Sequence, residues 1–188
     1  MEDLSLHLLD IAENSVSAGA SRVKITVIED AAADLLLLEV EDNGRGMSEE
    51  ECARALDPFY STRQTRRIGL GLPFLQEACR ASGGDMTLTS APQKGTKVRA
   101  SFRLSHIDLK PMGDLALTLV TLIAGHPEIE WVYYHRRDDA EFEFNSRQFQ
   151  ETYPEIVINH PEVLNAIRNY IDHSLSFLRR EHGRSQGL

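Results

Sequence analysis

The sequence predicts an α+β fold: a two-layer α/β sandwich in which helices cover one face of a mixed, largely antiparallel sheet, followed by a small C-terminal α/β module. Three observations predict it. Strand patterns at residues 22–29, 34–42, 85–91 and 96–104 have helical patterns between and before them. The last two of these strands are joined by a short Pro-Gln-Lys-Gly turn, a hairpin connection. Beyond residue 105 the pattern changes to helix, hairpin and helix.

Residues 3 to 17 read as a helix. Leu4, Leu8, Ile11, Ala12, Ser15 and Val16 fall within one half of the helical projection. His7, Asp10 and Asn14 form a narrow stripe on the other side. Asp10 and Asn14 are four residues apart, so their side chains meet over one turn. A carboxylate and an amide oxygen so placed can serve a hydrated Mg²⁺ and a water, or can be an ordinary solvated face. Gly19 ends the helix, and Ser21 to Val27 alternates as a strand. Leu35-Leu36-Leu37-Leu38-Glu39-Val40 is a buried strand by its length. It runs into Asp42-Asn43-Gly44-Arg45-Gly46, where a carboxylate at a strand end is followed by two glycines. Such a carboxylate can accept a hydrogen bond from a flat ligand while the glycines let the backbone pass close by. Ser48 and Glu51 make a capping box for the next helix.

Asp57-Pro58-Phe59-Tyr60-Ser61-Thr62-Arg63 comes next, then Arg66 and Arg67, three arginines in five positions of a chain of net charge −9. Guanidinium forks suit phosphate oxygens, although a basic surface loop has the same composition. Gly69-Leu70-Gly71-Leu72 leads into a helix with Pro73 in its first turn, an arrangement that leaves N-terminal amides free to face an anion. Gly83-Gly84 stops that helix. In the C-terminal module, Asp114 to Ala124 is an apolar helix. Glu130 to Tyr134 and Glu141 to Phe144 form a hairpin around Asp138-Asp139. Pro161 opens a final helix with Leu164, Ile167, Ile171, Leu175 and Leu178 on one stripe.

At 188 residues the chain can bury a proper core. Its apolar runs are too short for a membrane span, and Glu2 and Asp3 stand where a signal peptide would be basic, so the expectation is a cytoplasmic protein. The acidic balance argues against broad nucleic-acid binding, which needs many phosphate contacts. Cys52 and Cys79 fall on separate helices and make neither a disulfide framework nor a zinc motif.

These motifs, in this order, resemble the ATP-binding domain shared by gyrases, mismatch-repair MutL proteins, heat-shock chaperones and histidine kinases, known as the GHKL or Bergerat fold. Asp10-Ile11-Ala12-Glu13-Asn14-Ser15 resembles the family's N box in its MutL form. Asp42 to Gly46 resembles the G1 box, Asp57 to Arg63 the F box of histidine kinases, and Gly69 to Leu72 the G2 box. Gly83-Gly84, Ser90 and Lys94-Gly95-Thr96 are similar to the end of a histidine-kinase catalytic domain. The resemblance covers residues 1–104, which it implies are an ATP-binding domain of the histidine-kinase-like ATPase type. Residues 105–188 are left as a small module of unassigned role.

The resemblance implies roles one residue at a time. Asn14 would coordinate Mg²⁺, and Asp42 would accept from the adenine amino group. Gly44 and Gly46 would let the backbone approach the base, and Met47 and Thr96 would contribute to ATP binding. Phe59, Thr62, Arg63, Arg66, Arg67, Gly69, Leu70, Gly71 and Leu72 would form the lid and phosphate contacts. Asp10 stands where hydrolysing relatives place the glutamate that activates water, but it is shorter by one C–C bond, about 1.5 Å. Arg67-Ile68 stands where many kinases have Gly-Thr, and Arg63 where they often have lysine. A histidine kinase needs a phosphoacceptor histidine on a dimerising hairpin, and His7 inside the N-box helix suits that role poorly. The resemblance therefore implies Mg-ATP binding and a kinase acting in trans on a separate regulatory or phosphoacceptor protein, with a slow ATPase or a non-catalytic regulator as alternatives. A homodimer is a further expectation.

Overall fold

Asp3 opens the first helix by accepting from the Leu6 amide at 3.0 Å, one of the donors a helix N-terminus leaves unpaired. The computed structural model describes residues 3–57 and 71–185, with side chains through residue 179. The helices are α1 (Leu4–Ser17), α2 (Glu49–Ala55), α3 (Gly71–Ala81), α4 (Leu115–Gly125), α5 (Ser146–Thr152) and α6 (Pro161–Ser185). The strands are β1 (Arg22–Asp30), β2 (Leu35–Asp42), β3 (Met86–Ser90), β4 (Thr96–Arg103), β5 (Glu130–Arg137) and β6 (Ala140–Asn145).

The strands form one six-stranded sheet in the order β3-β4-β2-β1-β5-β6. Every neighbouring pair is antiparallel except β1 and β5, which run parallel. The mixed, largely antiparallel sheet expected from the sequence is therefore present. Strand alternation decides which face is apolar. Register aligns Ile25 with Val40 and Val40 with Val98, and sets Ile25 beside Tyr133 on the other flank. These side chains share one face with Val23, Val27, Leu36, Leu38, Ala100, Phe102 and Trp131, all buried. Each large apolar side chain so removed from water contributes about 1.5–3 kcal/mol before the entropy of ordering it is counted. Helices α1, α3, α4 and α6 pack over this apolar layer. The opposite face carries charge, with Lys97 bridging Glu39 and Glu41 at 3.7 and 2.9 Å.

The hairpin expected around Asp138-Asp139 is β5–β6, with Asp138 at φ 51° in its turn. It extends the same sheet, because β5 pairs along the whole outer edge of β1. The segment between β4 and α4 folds back over α1, and Pro111 and Met112 carbonyls accept from the Leu4 and Ser5 amides at 2.9 and 2.8 Å. One helix is not foreshadowed by periodicity. The short α5 starts because Asn145, at the end of β6, turns its side chain to accept from the Arg147 and Gln148 amides.

The stripe of His7, Asp10 and Asn14 is not a solvated face: His7 is buried, and Asp10 and Asn14 are half-buried. Helix α3 packs along that side of α1, and His7 is only 1% exposed. Among the described residues neither ring nitrogen has a hydrogen-bond partner. Burial, assisted by the nearby Lys110 charge, lowers the His7 pKa from 6.5 to about 4. Above pH 6.5 the imidazole is neutral in both folded and unfolded chains, and its contribution to stability is fully present. As pH falls toward 4, the unfolded chain takes up a proton that the folded chain refuses, and stability is lost. The loss attributable to this residue is about 3 kcal/mol at the acid end. Urea unfolding of wild type and His7→Leu between pH 8 and 4 should show it as an extra acid destabilisation of wild type. Parallel pH profiles for the two proteins would refute this account of His7.

Candidate functional site

A cavity of about 400 Å³ opens between α1, the end of β2, the start of β4, and α2. Strand alternation builds its floor. Val40 and Asp42 are two residues apart on β2, and register places Val98 and Thr96 beside them on the same face of β4. Helical spacing builds one wall, with Ile11, Asn14, Ser15 and Ala18 of α1 and its C-cap turned inward. Arg45, Gly46, Met47, Glu51, Arg54 and Ala55 form the opposite rim, and Gly71 and Leu72 close one end.

Asp42 is 9% exposed and tightly held. Its Oδ1 accepts from the Gly44 amide at 2.8 Å and the Thr96 amide at 3.3 Å. Its Oδ2 accepts from the Ser15 hydroxyl at 2.7 Å. A carboxylate oxygen has two lone-pair directions, so Oδ2 keeps one for a ligand in the cavity. The loop after Asp42 is fixed just as closely. Asn43 Oδ1 accepts from the Ser21 and Arg22 amides, each at 2.9 Å. The Arg45 amide donates to the Ala18 carbonyl, and the Gln93 amide to the Arg45 carbonyl. The expected capping box at α2 is formed, with Ser48 and Glu51 each accepting the other's backbone N–H.

Asn14 lines the cavity, and among the described residues its amide makes no hydrogen bond within the protein. Mg²⁺ commonly takes one or two protein oxygens and completes its octahedron with water and substrate phosphates. A single uncommitted amide oxygen at the wall of a cavity fits that pattern. No cluster of three or more His, Cys, Asp or Glu residues suited to a metal exists among the described residues.

Asp10 is placed differently. It is not among the residues lining the cavity but lies against the first turn of α3. A Cβ on Gly71 would meet the Asp10 carboxylate where it now lies, so the absence of a side chain at Gly71 lets that carboxylate sit against the first turn of α3. Burial, with the Glu13 charge adding to it, raises the Asp10 pKa above its ordinary value.

Of the residues singled out in the sequence, Asn14, Asp42, Gly46, Met47, Gly71, Leu72 and Thr96 line one cavity, and Gly44 donates to Asp42 beside it. Phe59, Thr62, Arg63, Arg66, Arg67, Gly69 and Leu70 lie outside the described residues. The apolar floor, Val40 and Val98, was readable from period-two alternation with Asp42 and Thr96. Ser15 had only its place next to Asn14 to mark it.

Three comparisons bear on this geometry. The family model described as histidine kinase-, DNA gyrase B- and HSP90-like ATPase matches residues 2–106. The sensor protein kinase FleS of Pseudomonas aeruginosa is 38% identical over 89 residues, 47% of this chain and 22% of that protein. Sensor histidine kinase YxdK of Bacillus subtilis is 35% identical over 91 residues, 46% of this chain and 27% of that protein. The matched region is thus about a quarter of these relatives' length. A crystal structure of the N-terminal domain of a DNA repair protein aligns with a TM-score of 0.52 at 15% identity. It covers 77% of this chain and 52% of that one, and it shows a shared fold.

The loop geometry makes a stability prediction. Gly46 has φ +66°, and a Cβ there would strike the Ala91 carbonyl. Gly46→Ala should lower stability by more than about 2 kcal/mol, combining left-handed strain with a backbone collision. Gly19→Ala serves as comparison, since Gly19 shares the positive φ but has nothing within 4 Å of an added Cβ. Denaturant unfolding that places the two variants level would refute the tight loop contact.

Proposed function

We propose, from the premise that this chain belongs to the histidine kinase-, DNA gyrase B- and HSP90-like ATPase family, that it binds Mg-ATP in this cavity and acts as a kinase in trans on a separate signalling or regulatory protein. The observation that supports the reading best is Asp42, fixed by three donors yet with an acceptor direction left toward the cavity.

In this reading Asp42 receives the adenine amino group while Ile11, Val40 and Val98 hold the ring on apolar surface. Gly44 and Gly46 keep side-chain bulk away from the base. Asn14 would hold Mg²⁺, which when bound screens charge on the phosphates. The arginines Arg63, Arg66 and Arg67 would contact phosphate. Residues 105–188 keep no assigned role in this reading, which sets the protein in the cytoplasm. Among the described residues no helix is long and apolar enough to cross a membrane. Asp10 takes the proton of an attacking hydroxyl or water. Its raised pKa makes it a better base near neutrality, since proton transfer is most efficient when the base is matched to the working pH. Its short reach opposes that gain, because a misplacement of about 1 Å can cost on the order of 10²-fold.

A second reading is a slow ATPase, or a regulator that binds without chemistry. The position of Asp10 against Gly71, off the cavity wall, favours it. Incubation with γ-labelled ATP separates the readings. Label on a partner protein supports the kinase, released phosphate alone supports the ATPase, and binding with neither supports the regulator.

Mg-ATP at about 100 times its dissociation constant should stabilise the protein by roughly 2.7 kcal/mol. Asn14→Ala should remove most of that gain, and Asp42→Ala should remove the preference for adenine by deleting its acceptor. Thermal melts with and without Mg-ATP decide this, and wild-type shifts in both variants would mean the nucleotide sits elsewhere.

Asp10→Asn should lower hydrolysis by about 10²–10⁴-fold if the carboxylate is the base. Transfer to a protein acceptor should survive better, because positioning and charge screening dominate phosphoryl transfer. Single-turnover assays test this, and unchanged hydrolysis would take Asp10 out of the mechanism.

A further inference from the structure

β6 is the outermost strand at its end of the sheet, paired with β5 on one side and with no described strand on the other. Among the described residues no backbone group of a loop or turn bonds to residues 140–144 along that open side. Natural proteins blunt such edges with proline, lysine or a bulge. β6 reads Ala-Glu-Phe-Glu-Phe-Asn and has neither residue. Its pairing runs unbroken from Arg137↔Ala140 to Val132↔Asn145, so no bulge interrupts it.

The two faces of the strand differ. Phe142 and Phe144 lie opposite His135 and Tyr133 on the inner face, where α6 packs. Glu141 and Glu143 alternate with them onto the outer face and are exposed. Glu141 accepts from the Tyr134 hydroxyl at 2.7 Å. Arg136, its cross-strand neighbour, reaches instead to Asp30 at 3.7 Å. Among the described residues neither glutamate is in an ion pair. On the inner side, the Tyr170 ring of α6 meets Phe142 at 5.6 Å between centroids, yet Tyr170 is 57% exposed. Phe177, about two turns further along the same flank of α6, is 56% exposed. The two rings make an aromatic ledge beside the strand.

A second copy of the chain does not suit this edge. Antiparallel pairing of β6 with itself about a twofold axis at residue 141, 142 or 143 sets glutamate directly opposite glutamate, which is destabilising. Opposite charge in those positions is stabilising.

We propose that β6 is a docking edge for an extended segment of a partner protein that alternates basic and apolar side chains. The segment adds to the sheet as a further strand, held to β6 by main-chain hydrogen bonds. Its basic side chains pair with Glu141 and Glu143 on the outer face, and its apolar ones rest on Tyr170 and Phe177. β6 lies at the opposite margin of the sheet from β3 and β4, so the proposal does not depend on what the cavity binds.

The probe is an end-blocked hexapeptide of alternating lysine and valine, titrated into the whole chain without nucleotide. Fluorescence anisotropy reads its affinity, and amide hydrogen exchange reads where it binds. One control alternates glutamate with valine, and the other keeps the lysines and valines but groups them in two blocks. The alternating basic peptide should bind and slow exchange across residues 140–145, and neither control should. Glu141→Lys combined with Glu143→Lys should weaken it by about tenfold and turn the preference to the glutamate–valine peptide. Tyr170→Ser combined with Phe177→Ser, which keeps both glutamates, should weaken binding without changing the preferred charge. Equal binding of the two lysine peptides, or binding that leaves exchange at β6 unchanged, would overturn the proposal, since attraction to an acidic surface needs no added strand. Failure of all three peptides to bind would overturn it as well. Exchange at residues 140–145 that slows with protein concentration alone would give the edge to a second copy and refute the partner segment.

Discussion

The carboxylate of Asp42 joins three parts of the chain that are remote in sequence. The Ser15 hydroxyl brings α1 to it, the Gly44 amide folds the following loop around it, and the Thr96 amide ties in β4. Such hydrogen bonds to a carboxylate are stronger than neutral ones and fix geometry as well as energy. The position of Asp42 is itself set by β2, whose alternation turns Leu36, Leu38, Val40 and Asp42 to one face. A one-residue slip of that strand would point the carboxylate to the other side of the sheet and unmake all three contacts. The cavity depends on the register of β2 more than on any single residue lining it.

Around this point the backbone comes closer than side chains allow. At Gly46 and Gly95 a Cβ would meet a backbone carbonyl, and at Gly71 it would meet Asp10. These glycines sit in three different segments, yet each answers the same need for close approach. The loop after β2 and the turn between β3 and β4 thus lie backbone against backbone, while the start of α3 lies against Asp10 of α1. Two hydroxyls bridge segments within that frame: Ser15 donates to the Asp42 carboxylate, and Ser90 accepts from the Met47 amide and donates to the Gly95 carbonyl.

The fold and much of the cavity were legible because they follow from local rules. Period-two alternation marks β1 and β4, a short apolar run marks β2, and a carboxylate followed by spaced glycines marks the loop after β2. What was not legible depends on which elements meet. The pairing of Ser15 with Asp42 spans 27 residues and exists only because α1 crosses the end of β2. The His7, Asp10 and Asn14 stripe reads as an outer face until α3 is laid along it, after which His7 is buried and Asp10 is pressed against Gly71. Helix α5 is too short to show a period and depends on the Asn145 cap. The hairpin of β5 and β6 is visible as a hairpin, but nothing in its own sequence names β1 as the strand it joins.

The parallel pairing of β5 with β1 makes the first half of the sheet dependent on residues far beyond the family match. In a chain cut after β4, the outer edge of β1 would show a row of unpaired amides and carbonyls next to the apolar side chains Val23, Ile25 and Val27. The Leu4 and Ser5 amides would lose the carbonyls of Pro111 and Met112 that satisfy the start of α1. An edge of that kind is a template for strand addition. The C-terminal segment thus covers an edge that the family-matched half would otherwise leave open to strand addition.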